Sequence, residues 1–521
     1  MQLGGLTGMP LQIKESCRHS PESIAHSRRL NKIKRVAFIS PNKIYCLTGG
    51  VYKTGATARP NVSVPALLVL GLLKERDYER LLIDAVAEAP TEFVEVTPGV
   101  FSAGLSGEAV AEKLASFVPD VILITAMFSS EYFLVNDLAV ELKKRFPSTP
   151  IIVGGIAATA HPQWFMDSGA VDVIVLGEAE HVLFDLLTEL ENARPNLQAI
   201  PNLLFRNGSQ IVQTPRVFKL SESFPPYDYE AVLLLPDGRF RYDDRFTART
   251  KTYRYKVLDG LTKSCVLFGS RGCPMGCDYC ATSWRDGRAV RHMGAQRMFE
   301  DLRRLHREYG VTVFYNQSDT FGLHPEDRKF LRLVADYRRQ HPEIVLNNPN
   351  AFFVRIFFKP DGSLDEELIQ LLANAGFNVV TLAVETFVQR FNNKIDFKRI
   401  SFDKIALLCD AIRERQMKVD IYAIYCFPGQ TAQEFYYDMQ NFRELRKHVN
   451  DFSLCNLLYI PGTTYYDQAI RNGWFTEEQY KSEVKRGYNF HHLSDFFNFS
   501  GIETAQLLEA VQEFEVFVPF Q

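Results

Sequence analysis

Cys273, Cys277 and Cys280, separated by three and two residues, are the side chains of this 521-residue chain whose types and spacing most directly suggest chemistry. Thiolate sulfur is a soft ligand that selects iron–sulfur clusters, zinc or copper(I). The loop Gly269-Ser-Arg-Gly-Cys273-Pro-Met-Gly-Cys277-Asp-Tyr-Cys280 is built to bring the three sulfurs together. Gly269, Gly272 and Gly276 permit backbone angles closed to other residues, and Pro274 stiffens the turn. Only three sulfurs come from this loop, whereas a structural zinc site closes with four ligands. A cubane held by three cysteines keeps one iron open to substrate. A zinc knuckle completed by Cys265 or His292 is the competing arrangement, disfavoured because Cys265 begins an apolar run and should face a core. Nine cysteines and no secretory leader describe a reduced, cytoplasmic protein rather than a disulfide scaffold.

With aromatic Tyr279 directly before the last cysteine, this loop resembles the CxxxCxxC motif of the radical S-adenosylmethionine (SAM) superfamily. The resemblance implies a [4Fe–4S] cluster on Cys273, Cys277 and Cys280 whose open iron chelates the amino and carboxylate groups of SAM. One electron then splits SAM into methionine and a 5′-deoxyadenosyl radical.

The elements that must position this loop alternate strand and helix. Val266-Leu-Phe268 delivers the loop, and Gly294 to Tyr309 places Met298, Leu302, Leu305 and Tyr309 on one helical stripe. Thr312–Tyr315, Phe352–Ile356, Val379–Ala383 and Val419–Ile424 read as strands, with a further strand in Asn450–Tyr459 and a helix from Leu364 to Ala375 that stops at Gly376. Repeated units of this size predict a parallel barrel or part of one over residues 263–470, with chemistry at the carboxyl ends of its strands. The polar residues fall there: Ser318 and Asp319 end one strand, Glu385 and Thr386 another, and Phe427-Pro-Gly-Gln-Thr431 follows a third. The resemblance assigns SAM contacts to Tyr279, Ser318, Asp319, Glu385, Pro428 and Gly429.

Ahead of the barrel, residues 1–31 read as an irregular arm and 32–195 as a separate α/β domain. Val36–Ser40, Val121–Thr125, Ile151–Gly154 and Val173–Leu176 are apolar runs that fit strands buried on both faces, with helices at Pro65–Glu75 and Glu108–Phe117. Ligands bind such sheets at the carboxyl ends of the strands. The loops there carry Gly49, Gly50, Tyr52, Ser129, Ser130, Gly154, Gly155, Gly177 and Glu178. Alone they indicate a generic nucleotide or flavin site, or turns that merely close a sheet. Directly before a radical SAM motif, this Rossmann-like domain resembles the cobalamin-binding domain found in many members of that superfamily. The resemblance makes those loop residues candidate cobalamin contacts. The family's Asp-x-His-x-x-Gly motif is absent, and no histidine occurs between His26 and His161, so the cobalt is expected to lack a histidine lower ligand.

Residues 196–262 read as a connector, with a hairpin turning at Asn207-Gly208 and a stiff Phe224-Pro-Pro-Tyr-Asp-Tyr229 segment that resembles the proline-aromatic joint of the family. Residues 471–521 form a short aromatic C-terminal region with a helix at Glu503–Phe514, and its His491 and His492 read as packed or surface histidines.

Composition excludes other classes. The chain is 46% hydrophobic and 23% charged with a net charge of −3, so no nucleic-acid footprint stands out, and no apolar run reaches the ~18 residues of a membrane span. The resemblance as a whole implies a class B-like, cobalamin-dependent radical SAM methyltransferase acting on an unactivated carbon of a small molecule. An external low-potential donor, ferredoxin- or flavodoxin-like, is implied because no second cysteine cluster appears. The alternatives are a cobalamin-dependent radical SAM cyclase or ring-rearranging enzyme, with a tetrapyrrole for example, and a non-catalytic cobalamin- or redox-responsive binding protein.

Overall fold

The computed structural model describes residues 32–46, 62–217, 224–242, 263–392, 400–487, 493 and 495–516. Gly49, Gly50, Tyr52, His491 and His492 lie outside them.

The N-terminal sheet is built from β1 (Arg35–Ser40), β2 (Glu79–Asp84), β3 (Val121–Thr125), β4 (Ile151–Gly154), β5 (Val173–Val175), β6 (Leu203–Asn207) and β7 (Gln210–Gln213). Its spatial order is β7-β6-β5-β4-β3-β1-β2. The strands from β2 to β5 are parallel, and β6 and β7 add an antiparallel edge. Every residue of β3 is buried, as continuous Val/Ile/Leu runs covered on both faces require. The hairpin loop between β6 and β7 is Gly208-Ser209, since Asn207 pairs with Gln210, one residue beyond the expected turn. Helices α1 (Val64–Glu75), α2 (Gly107–Phe117) and α3 (Tyr132–Arg145) pack on this sheet, each of the first two opened by a serine side chain that accepts from a backbone N–H. The strand order reverses between β1 and β3, so their carboxyl ends open the crevice where ligands of such sheets bind.

The second domain has six parallel strands: β8 (Lys263–Leu267), β9 (Val311–Asn316), β10 (Val345–Asn347), β11 (Val379–Glu385), β12 (Lys418–Tyr425) and β13 (Asp451–Asn456). They are connected by α4 (Ala295–Tyr309), α5 (Pro325–Arg338), α6 (Glu366–Asn374), α7 (Phe402–Glu414) and α8 (Ala432–Leu445), and α9 (Thr464–Arg471) follows the last. One group pairs as β8-β9-β10 and the other as β11-β12-β13, joined by a single bridge of Leu346 to Phe377. Among the described residues nothing pairs β13 with β8. The arrangement is therefore a partial (β/α)6 barrel, open on one side. Met298, Leu302 and Leu305 of α4 are buried against it, worth about 1.5–3 kcal/mol each.

The third strand corrects the sequence reading. Only Phe352 and Phe353 of the expected Phe352–Ile356 strand are extended, alongside β11, and Val354–Phe357 closes into a turn of 3-10 helix. The barrel position belongs to Val345–Asn347.

The C-terminal region folds back across the molecule. Glu477, which opens α10 (Glu477–Lys485), accepts from Trp164 Nε1 at 3.0 Å and sits 3.1 Å from His161 Nδ1, both on the N-terminal domain. Tyr466, Phe475, Tyr480 and Phe497 share a core with Trp164 and Phe165. α11 (Thr504–Val516) ends the described residues, two residues longer at its C-terminus than expected.

Candidate functional site

The cluster loop follows β8 and is held from several sides. Gly272 has φ +93, and a Cβ there would lie 2.2 Å from the Ala289 carbonyl oxygen, so only glycine fits the turn just before Cys273. Ser318 Oγ, past the carboxyl end of β9, accepts from Gly269 N (3.0 Å) and Ser270 N (3.1 Å). Asp319 Oδ2 accepts from Gly272 N at 2.9 Å, while its Oδ1 pairs with Arg285 at 2.8 Å. Burial raises the Asp319 pKa, and Arg285 and the Gly272 amide favour its charged form. Ser318 and Asp319 thus brace the cysteine loop with their side-chain oxygens. Ser283 Oγ donates to Cys273 O (2.7 Å) and accepts from Gly276 N (3.2 Å), fixing the turn from inside. Thr282 Oγ1 lies 3.3 Å from Cys280 Sγ.

Cys273 is buried, and Cys277 and Cys280 are partly open. Burial pushes the Cys273 thiol up to about 12, helped by the neighbouring Cys280 and Cys277. The three sulfurs feel one another, as ligands of one metal centre must, and no fourth cysteine lies on the loop. Cys265 is buried in β8. His292 has both ring nitrogens engaged, Nε2 with Asp327 at 3.0 Å and Nδ1 with the Gly294 N–H at 2.9 Å. Neither residue is presented as a fourth zinc ligand. The donor set therefore fits a three-thiolate cluster.

Around this loop lie the other barrel-end residues. Tyr279 is half-buried, and desolvation holds its hydroxyl far above the usual range, with Glu385 and Cys277 adding to it. Glu385 ends β11 with φ +65, a left-handed conformation that a non-glycine residue adopts only when its surroundings demand it. The Pro428-Gly429 turn follows β12: Gly429 N donates to Phe499 O at 2.7 Å and Gly429 O accepts from Arg390 at 2.7 Å. Phe427 before it stacks on Phe391 at 4.4 Å and meets Tyr279 edge-on at 6.5 Å. Tyr279, Glu385 and this turn are thus drawn to the same end of the barrel. The sequence reading missed Asn316, Asn347 and Asn348, at and just beyond the ends of β9 and β10. Asn316 Nδ2, Asn347 Oδ1 and Asn348 Oδ1 are buried without a hydrogen-bond partner. Such atoms cost about 1–3 kcal/mol each unless a ligand or water meets them. An Ile-Val-Leu-Asn-Asn run after a helix was the available signal.

At the carboxyl ends of the N-terminal sheet, Ser40 Oγ and Thr125 Oγ1 are likewise buried and unpartnered, on the two strands that flank the reversal. Gly155 has φ +115, and a Cβ there would approach the Ala126 carbonyl oxygen to 2.4 Å. Gly177 has φ +86 with open space beside it. Ser129 and Ser130 begin a turn of 3-10 helix after β3, next to the exposed Phe128. Gly154 ends β4. Open backbone, an uncovered aromatic ring and orphaned hydroxyls at one crevice fit a large flat cofactor.

Glu178 has a different environment from the one expected of a cofactor contact. Its carboxylate takes both terminal nitrogens of Arg291, at 2.8 and 3.1 Å, and lies 3.2 Å from Arg271. Arg271, two residues before Cys273, also pairs with Glu180 at 2.7 Å. All four side chains are largely withdrawn from solvent, 6–11% exposed. Arg271 and Arg291 were not foreseen; they face each other in a two-residue antiparallel ladder, Ser270–Arg271 with Arg291–His292. The carboxyl end of the first sheet is therefore bolted to the cysteine loop of the second.

Residues 267–464 match the Radical SAM superfamily model, and residues 63–187 match the B12 binding domain model. The chain is 25% identical over 444 residues to cytidylyl-2-hydroxyethylphosphonate methyltransferase of Streptomyces wedmorensis, covering 80% of each chain. It is 25% identical over 362 residues to the anaerobic magnesium-protoporphyrin IX monomethyl ester cyclase of Cereibacter sphaeroides, covering 68% of this chain and 51% of the cyclase. Among solved structures it shares the fold of the radical SAM methyltransferase TsrM from Kitasatospora setae, determined with cobalamin and a [4Fe–4S] cluster, with a TM-score of 0.60 at 16% identity. That match covers 84% of this chain and 78% of TsrM.

Proposed function

We infer that this chain, a radical SAM protein with a B12-binding domain ahead of its barrel, methylates an unactivated carbon of a small-molecule substrate. The observation that carries the reading is the buried bridge from Glu178 and Glu180 to Arg271 and Arg291, which sets the ligand end of the first sheet against the cysteine loop. When bound, the [4Fe–4S] cluster supplies the electron that splits SAM to a carbon radical, and methylcobalamin supplies the methyl group.

The residues' own work follows from their places. Cys273, Cys277 and Cys280 would hold the cluster and leave one iron to SAM, with Ser318 and Asp319 keeping the loop in shape. Tyr279, Glu385 and the Pro428-Gly429 turn would line the SAM site. Ser129, Ser130, Gly154, Gly155 and Gly177, with Ser40 and Thr125, would receive cobalamin; no histidine serves as its lower ligand in this reading. Asn316, Asn347 and Asn348 offer neutral donors and acceptors to orient SAM or substrate. A carbon radical attacks almost any C–H bond, so the site must hold one carbon close and exclude water. The aromatic C-terminal region, packed over the N-terminal domain, supports that enclosure. We place the protein in the cytosol with an external ferredoxin- or flavodoxin-like donor. Among the described residues no helix is long and apolar enough to cross a membrane.

The relatives favour a small-molecule substrate: the Streptomyces methyltransferase is named for a nucleotide-linked phosphonate, and TsrM has also been solved with tryptophan. The cyclase relative supports a second reading, ring formation without methyl gain. The test is anaerobic reconstitution with iron, sulfide and cobalamin, then SAM and a strong reductant. Bound cobalamin with both 5′-deoxyadenosine and S-adenosylhomocysteine is the expected result. SAM cleavage without cobalamin binding would overturn the methyl relay, and 5′-deoxyadenosine without S-adenosylhomocysteine would favour the cyclase.

A further inference from the structure

A second group of metal-ligating side chains stands at the amino ends of the barrel strands, far along the fold from the cysteine loop. His306 lies in the last turn of α4, and His341 and Glu343 lie in the turn between α5 and β10. One ligand atom from each lies within 4.8 Å of the other two. Glu343 Oε1 is 3.1 Å from His306 Nε2 and 3.3 Å from His341 Nδ1. A tetrahedral ion with bonds of about 2.0–2.1 Å holds its ligand atoms about 3.3 Å apart, so two edges of the tetrahedron are already formed.

We propose that His306, His341 and Glu343 form a three-ligand zinc site with water in the fourth position, clamping α4 to the turn that enters β10. The ligand chemistry selects the ion. Two imidazoles and one carboxylate suit zinc; magnesium and calcium prefer all-oxygen shells, and copper(I) and iron–sulfur centres prefer thiolates. The Tyr337 hydroxyl lies 3.0 Å from His306 Nδ1, the second-shell contact that fixes a ligand histidine's tautomer and leaves Nε2 to the metal. The turn carrying the other two ligands is held in advance by Arg338, whose guanidinium donates to Ile344 O (2.7 Å), Pro342 O (3.0 Å) and Asn374 O (3.0 Å). His306 and His341 are partly buried and Glu343 is exposed, so the ion can enter from solvent without disturbing the core. The amino-terminal face of a barrel is where residues serve stability rather than chemistry, and a clamp belongs there.

The test uses the full-length, cluster-reconstituted protein dialysed anaerobically against micromolar zinc sulfate. Zinc is counted per chain and its ligands are read at the zinc X-ray absorption edge, where the iron cluster does not contribute. One zinc per chain with a nitrogen/oxygen shell is expected, together with a higher melting temperature. His341→Ala and Glu343→Gln should abolish that zinc at unchanged iron content, and Tyr337→Phe should weaken it about 10–100-fold. The proposal is overturned by absence of stoichiometric zinc in the wild type, by sulfur in the zinc shell, or by zinc that survives both ligand substitutions.

Discussion

The Cys273 thiol is protonated when the loop is empty, because burial and the neighbouring cysteines oppose its thiolate. Loading with iron must therefore release protons. Replacing any one of the three by alanine should reduce bound iron to background, and 5′-deoxyadenosine formation by more than the ~10–100-fold that second-shell changes cost. Asp319→Ala tests a subtler role. It removes the acceptor of the Gly272 N–H and the partner of Arg285, so we expect cluster retention during gel filtration to fall about 10-fold. Iron retained at the wild-type level would mean that the loop keeps its shape without the brace. The cysteine spacing was legible from the sequence because a metal loop is local. That Ser318 and Asp319 hold this loop was not, because their partners lie more than forty residues away in the chain.

The segment after β3 shows what an element contributes. Glu131 is buried there, its Oε2 accepting from Met127 and Phe128 N–H, and burial pushes its carboxyl up to about 7, with Lys43 opposing. A folded-state pKa above the ordinary 4.5 means that the folded protein holds this proton more tightly than the unfolded chain. The resulting stability is present in full below about pH 4.5 and is lost as pH rises to about 7, on the order of 3 kcal/mol. In Glu131→Gln the unfolding free energy should be flatter with pH across this window; an unchanged slope in chemical denaturation would reject the assignment. Gly155→Ala belongs to the same crevice. Its Cβ would strike the Ala126 carbonyl, so we expect a loss of about 2 kcal/mol or more in stability and weaker cobalamin binding by spectroscopic titration. Most strands were legible from apolar runs. β10 was not, because three residues hold too little pattern, and the aromatic Phe352–Ile356 stretch nearby imitates a strand more convincingly.

Across the whole molecule, long-range contacts from three regions, the connector, the cysteine loop and α10, join the domains. The connector's Asp228 pairs with Arg80 of the N-terminal sheet, while Tyr227 donates to Phe268 O and Arg297 donates to Phe224 O and Pro225 O. The Glu178–Arg271–Arg291 bridge joins the two ligand ends, and α10 returns the C-terminal region to Trp164 and His161. Glu178→Ala leaves two buried arginines without this carboxylate, which should cost about 3–5 kcal/mol. If the bridge aligns the two cofactor sites, this variant should still form 5′-deoxyadenosine while transferring fewer methyl groups per SAM cleaved. An unchanged ratio would show that the connector and C-terminal contacts align the domains without it.

The sequence by itself determined what depends on neighbours in the chain. The three-cysteine loop, the apolar runs of two α/β domains and their order specify chemistry and fold class, because metal-loop spacing and strand burial are written in short stretches. Tertiary structure alone decided which residues face one another across the domain boundary. Glu178 reads in sequence as one more loop residue beside a glycine, and only folding brings it to Arg271 and Arg291. The orphaned amides of Asn316, Asn347 and Asn348 and the meeting of His306 with His341 and Glu343 have the same origin. Each joins residues that are distant in sequence, and burial and convergence are properties of the packed chain.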